Sequence, residues 1–122
     1  MNRIHDEEVQ LIDRLLGLLE ERAENHAITE SVEKLLEHMR MHFDFEEERL
    51  KQAGFPMLDI HRSDHHRIMG ETRMAYMNWR NFKDREGLRD FIEEDFIEWL
   101  HLHIQAMDSV AADFLAARGA EE

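Results

Sequence analysis

The chain has 122 residues, with 28 Asp plus Glu against 15 Lys plus Arg, a formal charge of -13 and no cysteine. That length holds a single domain, 1–122, with a real core and no room for a second. The charge repels phosphate backbones and anionic membrane surfaces, so no nucleic acid partner is expected; the missing thiols exclude disulfides and iron-sulfur clusters and leave nitrogen and oxygen as the strong metal donors.

Apolar runs are only a few residues long, and the opening MNRIHDEEVQ carries acids where a signal peptide needs an apolar stretch. A cytoplasmic protein with no membrane anchor is the expectation. One proline, five glycines and little strand-type alternation predict an all-α fold. The first helix is expected from about Ile4 to Arg22, with Ile4, Glu8, Leu11, Leu15 and Leu18 on one face. Glu8 interrupts that face. After a polar turn at Ala23 to Ala27, a second helix sets Ile28, Val32, Leu35, Met39, His42, Glu46 and Ala53 on its stripe and stops near Gly54 and Pro56.

A third helix, from about Leu58 to Phe82, lines up Leu58, His61, His65, Ile68, Thr72, Ala75, Trp79 and Phe82. A break at Lys83 to Gly87, capped by Asp84, leads to a fourth with Leu88, Ile92, Phe96, Trp99, His103 and Val110 inside, stopped at Gly119. An acidic tail, Glu121 and Glu122, closes the chain. Connections this short join antiparallel neighbours, so the predicted architecture is an up-down-up-down four-helix bundle. Such bundles commonly form homo-oligomers.

The chemistry lies in His42-x3-Glu46, His61-x3-His65, His103 with Asp108, and Glu8 with His5 upstream. Residues four apart on a helix share a face and can reach one ion. A lone inward histidine is ordinarily a hydrogen-bonded core residue. Four of them, with two or three inward carboxylates, would each need separate compensation for desolvation, whereas a metal satisfies all at once. Asp108 is the exception in spacing: five residues past His103 is about 140° round an ideal helix, where Met107 would be the natural neighbour. Either the helix widens there or Asp108 is a surface acid. His38 and His66 read as surface or outer residues, and His26 and His101 as turned away. Trp79, Trp99, Phe43, Phe45 and the eight methionines read as packing, and Glu47, Glu48, Glu93, Glu94 and Asp95 as a solvated face.

His42-Phe43-Asp44-Phe45-Glu46-Glu47, Pro56 followed by His61 and His65, and Trp99-x3-His103-Ile104-x3-Asp108 together resemble the hemerythrin family, a four-helix bundle around a non-haem di-iron site. The likeness covers nearly the whole chain. It implies that one iron takes His61, His65 and His103, that the other takes His42, and that Glu46 and Asp108 bridge them, with an oxo or hydroxo group between. The family's first helix reads I-D-x-x-H, and aligning Ile4 with that isoleucine puts Glu8 where the histidine belongs. Either Glu8 ligates directly, the preferred reading because it lies mid-stripe, or the helix slides and His5 takes the place.

The resemblance implies binding of dioxygen or a related small oxidant such as peroxide or nitric oxide, as a carrier or sensor, or with oxidase- or peroxidase-like reactivity. A carboxylate at Glu8 would add a negative charge at one iron, stabilise its ferric state and hinder oxygen release; His5 would leave ordinary reversible binding. The donor set also suits manganese at one site, and zinc or copper accept imidazole. Iron storage is the rival function, and a metal-free interaction module the plainest alternative.

Overall fold

The computed structural model describes residues 2–119, so the acidic tail Glu121 and Glu122 lies outside the described residues. Three long helices come first: α1 (Asn2–Glu20), α2 (Asn25–Ala53) and α3 (Leu58–Phe82). A fourth rod, 85–117, is built of α4 (Arg85–Asp90), a wide π turn at Phe91–Phe96, α5 (Ile97–His103), a second π turn at Ile104–Asp108 and α6 (Ser109–Ala117). Among the described residues there is no strand, and no helix is long and apolar enough to cross a membrane.

The helix ends follow from local chemistry. Gly54 takes a left-handed conformation (φ 74°), which lets its N–H reach Lys51 O and the Phe55 N–H reach Leu50 O, closing the last turn of α2 before Pro56. The side chain of Asp84 accepts from the Gly87 N–H at 3.0 Å, the predicted cap. A Cβ at Gly87 would sit 2.3 Å from the Asp84 carboxylate, so the cap needs glycine at that point. Lys83, at φ 53°, ends α3 in the same left-handed region without being glycine.

Apolar burial is split into two clusters with a polar layer between. The larger gathers Ile12, Leu15, Leu19, Ile28, Leu35, Met39, Ile68, Trp79 and Phe96 with their neighbours. The smaller, Leu50, Phe55, Ala111 and Leu115, closes the end where α2 stops and α6 begins. His42 and Glu46 fall between Met39 and Leu50, His61 and His65 between Phe55 and Ile68, and His103 and Asp108 between Leu100 and Ala111. Apolar layers on both sides keep water from the polar one.

Several expectations are corrected. On α1 the buried residues are His5, Glu8, Ile12, Leu15 and Leu19, while Ile4, Leu11 and Leu18 are half-buried: the inner face is rotated toward His5. Both arcs of α1 are apolar enough to serve, and contact with α2 decides. Phe82 and Val110 are exposed at the ends of their stripes, at 74% and 45%. Phe45 and most described methionines, including Met41, Met57, Met74 and Met77, are exposed as well; Met39 and Met69 alone pack fully inside.

Candidate metal centre

The i, i+4 spacing on α2 and α3 does what it predicts. His42 and Glu46 are buried on one face of α2, and His61 and His65 on one face of α3 with ring centroids 4.6 Å apart. Glu46 lies between them: its Oε2 is 3.2 Å from His42 Nε2, and its Oε1 contacts His61 Nε2 and is 3.6 Å from His65 Nε2. His103 completes this group, its Nε2 3.2 Å from His65 Nε2. Ligand atoms of Glu46, His61, His65 and His103 all lie within 4.8 Å of one another.

Asp108 joins because the helix widens. The π turn at Ile104–Asp108 absorbs one residue, so a side chain five positions past His103 returns to its face. Its Oδ1 is 3.0 Å from His103 Nε2 and 3.4 Å from His61 Nε2, and its Oδ2 is 2.8 Å from His5 Nε2. Asp108→Ala is expected to lose metal affinity, and the double variant Asp108→Ala/Met107→Asp is expected not to regain it. Rescue by that pair, read as metal retained per chain, would mean that the helix is straight there.

Both candidates on α1 point inward. His5 is buried with its Nε2 against Asp108, and Glu8 is fully buried with Oε2 2.8 Å from His42 Nδ1 and 3.4 Å from His38 Nδ1. Two outer carboxylates escape sequence reasoning. Glu47, expected on a solvated face, is largely buried and its Oε2 is 2.8 Å from His65 Nδ1; Asp64 Oδ2 accepts from Trp99 Nε1 at 2.9 Å and is 2.7 Å from His103 Nδ1. The available signal was adjacency, Glu47 to Glu46 and Asp64 to His65. Phe43 stacks on His65 at 3.9 Å and Trp99 on His103 at 4.7 Å, fixing both rings. His26, His66 and His101 are exposed, and Glu48, Glu93, Glu94 and Asp95 are solvated as expected.

Charge is packed densely. Burial opposes a charged His42, yet hydrogen bonds and the negative charges of Glu46 and Glu8 outweigh it and push the imidazole up to about 9. His61 is likewise raised to about 9 against burial, by Asp108 and Glu46. Burial, reinforced by the positive charge of His103, His61 and His42, pushes His65 down to about 2. Glu8 and Asp108 are held below the usual carboxylate range despite burial, Glu8 by His38 and His42 and Asp108 by His103, His5 and His61.

This frustrated packing is the fit test for a cation. His5 Nε2 and Asp108 Oδ2 lie 2.8 Å apart without hydrogen-bond alignment, and His5 Nε2, both Asp108 oxygens and Glu8 Oε1 are buried without partners. Orphaned buried donors are rare and costly. Imidazole and carboxylate without sulfur is a donor set that fits iron or manganese.

A pH dependence follows. In the metal-free chain, protonated His42 and His61 give stability that is fully present below about 6.5 and drains as pH rises through about 9. His65 acts in the opposite sense, costing stability as pH falls below 6.5. The metal-free melting temperature is expected to fall between pH 7 and pH 9, while metal affinity rises over the same window because about two protons must leave on binding. Thermal scans and chelator competition at both pH values check this; a flat affinity would contradict it.

The model of the Hemerythrin HHE cation binding domain matches residues 1–115. Bacteriohemerythrin of Aquifex aeolicus (strain VF5) is 28% identical over 115 residues, 94% of this chain and 87% of that protein. Bacteriohemerythrin of Stenotrophomonas maltophilia (strain R551-3) is 30% identical over 91 residues, 75% of this chain and 58% of that protein. No solved structure gives a significant match. With a buried layer of histidine and carboxylate donors between two apolar clusters, and a family match over nearly its full length, the chain belongs to the hemerythrin family.

Proposed function

We propose that the protein is a non-haem di-iron protein that binds dioxygen or a related small oxidant such as peroxide or nitric oxide. The observation that carries this reading is the buried layer of histidine and carboxylate side chains converging from α1, α2, α3 and the fourth rod, in which His5, Glu8 and Asp108 keep partnerless atoms. In it, His61, His65 and His103 would hold one ion, His42 and a donor from α1 would hold the other, and Glu46 and Asp108 would serve both. The short connections support an antiparallel, up-down-up-down course for the bundle. Iron in this layer supplies electrons and Lewis acidity to the oxidant.

The chain's own residues do the rest. Glu8, Glu47 and Asp64 occupy the outer ring nitrogens of His42, His65 and His103, which fixes tautomer and orientation and strengthens each imidazole as a donor. Phe43 and Trp99 keep those rings from rotating, and the apolar clusters exclude water from the polar layer.

Iron-loaded, reduced protein titrated with oxygen is expected to gain a visible charge-transfer absorption. Loss of the band under argon would identify a carrier or sensor, and irreversible oxygen consumption would identify oxidase-like reactivity. Neither a band nor uptake would refute the reading. Storage draws support from the charge of -13, which concentrates cations; it predicts loading well beyond two irons per chain.

A further inference from the structure

We propose that the open groove between α2 and α3, on the outer side of His65, binds a small organic acid, its carboxylate held by Arg73 with Arg40 opposite and its apolar body laid over Phe43, Met69 and Gly70. The groove stands outside the buried donor layer, so its ligand does not depend on which ions that layer takes.

Shape comes first. Arg40, Phe43 and Glu47 lie on one face of α2, Met69, Gly70 and Arg73 on one face of α3, and between them is a space of about 310 Å³, the size of a site for a small molecule. Phe43 and Met69 are buried apolar side chains that present an edge to that space, and Phe43 also stacks on His65. A Cβ at Gly70 would meet nothing within 4 Å, so helix packing does not require glycine there. Glycine inside a helix costs stability, and at this position it leaves the floor of the groove open.

Charge selects the ligand. Arg40 is shared between Glu37 at 2.6 Å and Asp44 at 3.6 Å, and Glu47 is matched by Arg62 at 3.2 Å and by His65 at 2.8 Å. Arg73 has no carboxylate within ion-pair distance among the described residues, and His66, exposed on the same wall, adds no negative charge. In a chain of net charge -13, a groove with a spare guanidinium is set up for an anion. Contacts between the two helices fix where that anion goes. Glu47 meets Arg62 and His65 near the start of α3, and Glu33 meets Tyr76 and Arg80 near its end, so Arg40 and Arg73 share the end of the groove away from Glu47. A bare inorganic anion would leave the apolar floor uncovered, and a neutral solute would leave Arg73 unmatched. An organic acid satisfies both, and its body rests beside Phe43 and Glu47, the two side chains that hold the His65 ring.

Equilibrium dialysis with benzoate, repeated on iron-loaded and chelator-stripped protein, tests this site, with folding of each variant checked by circular dichroism. Both forms are expected to bind about one benzoate per chain. Inorganic phosphate and benzyl alcohol, which carry the charge and the apolar body separately, are expected to bind about tenfold more weakly or worse. Arg73→Gln is expected to weaken benzoate about tenfold, and Gly70→Leu, which fills the open floor, to abolish its binding. No binding, phosphate or benzyl alcohol bound as well as benzoate, or benzoate taken up by the iron-loaded form alone would each overturn the proposal. So would affinity unchanged by Arg73→Gln or retained in Gly70→Leu. Should Gly70→Leu not fold, the surface variant Arg73→Gln and the ligand comparison decide.

Discussion

Glu46→Ala is expected to abolish metal retention and to leave the metal-free chain less stable by about 3 to 5 kcal/mol, the cost of removing one partner from a buried charged pair. Only Asp108, against His5, His61 and His103, is placed comparably among the described residues. Its Oε2 faces His42 on the same helix, and its Oε1 contacts His61 and lies 3.6 Å from His65 on α3. In the metal-free chain those contacts sustain the raised protonation of His42 and His61, so truncation leaves two buried imidazoles with a weaker reason to be charged. In the proposed two-ion site the same carboxylate would serve both ions, and its loss would remove a donor from each. Glu46→Asp keeps the charge but withdraws it by one methylene, and should fall between. Iron per chain after expression in iron-supplemented medium, with chemical denaturation of the stripped protein, measures both effects; a Glu46→Ala protein with its full iron would contradict the assignment.

The second large effect is on stability. The polar layer packs His5, His42, His61, His65 and His103 against Glu8, Glu46 and Asp108 in the middle of the bundle, with partnerless atoms left over. A layer of this kind works against folding when nothing joins its members. Metal binds the native arrangement and not the unfolded chain, so free metal at about 1,000 times its dissociation constant adds about 4 kcal/mol. For a chain of this size that is a rise in melting temperature on the order of 15 °C. Scanning calorimetry of loaded and chelator-stripped protein should separate the two forms by that order, and superimposed scans would return the metal-free bundle to favour.

Most of the fold was legible because its signals are local. Helix boundaries at Gly54, Asp84 and Phe82 follow from turn and cap chemistry, and the paired histidines and Glu46 follow from i, i+4 spacing. Asp108 was half legible: spacing left a widened turn or a surface acid, the resemblance favoured an inward ligand, and the π turn at Ile104–Asp108 supplies the means. The π turn at Phe91–Phe96 gave no sign, since nothing in Phe91 to Phe96 marks a place where an extra residue is absorbed.

What stayed hidden depends on contacts between helices. Apolar residues cover so wide an arc of α1 that Ile4, Leu11 and Leu18 served as well on paper as Ile12 and Leu19; packing on α2 and the fourth rod selects the arc that brings His5 inside. Glu47 and Asp64 reach His65 and His103 across 18 and 39 residues of sequence, separations that no local period records. The exposed Phe82, Phe45 and Met74 show the converse limit, because apolar character permits burial without requiring it.

Anomalous diffraction at the iron edge from crystals of iron-loaded protein tests the central claim most directly. Two iron peaks enclosed by His42, Glu46, His61, His65, His103 and Asp108 are the expected result. Iron-loaded crystals with no peak in that layer, and its side chains paired to one another instead, would contradict it.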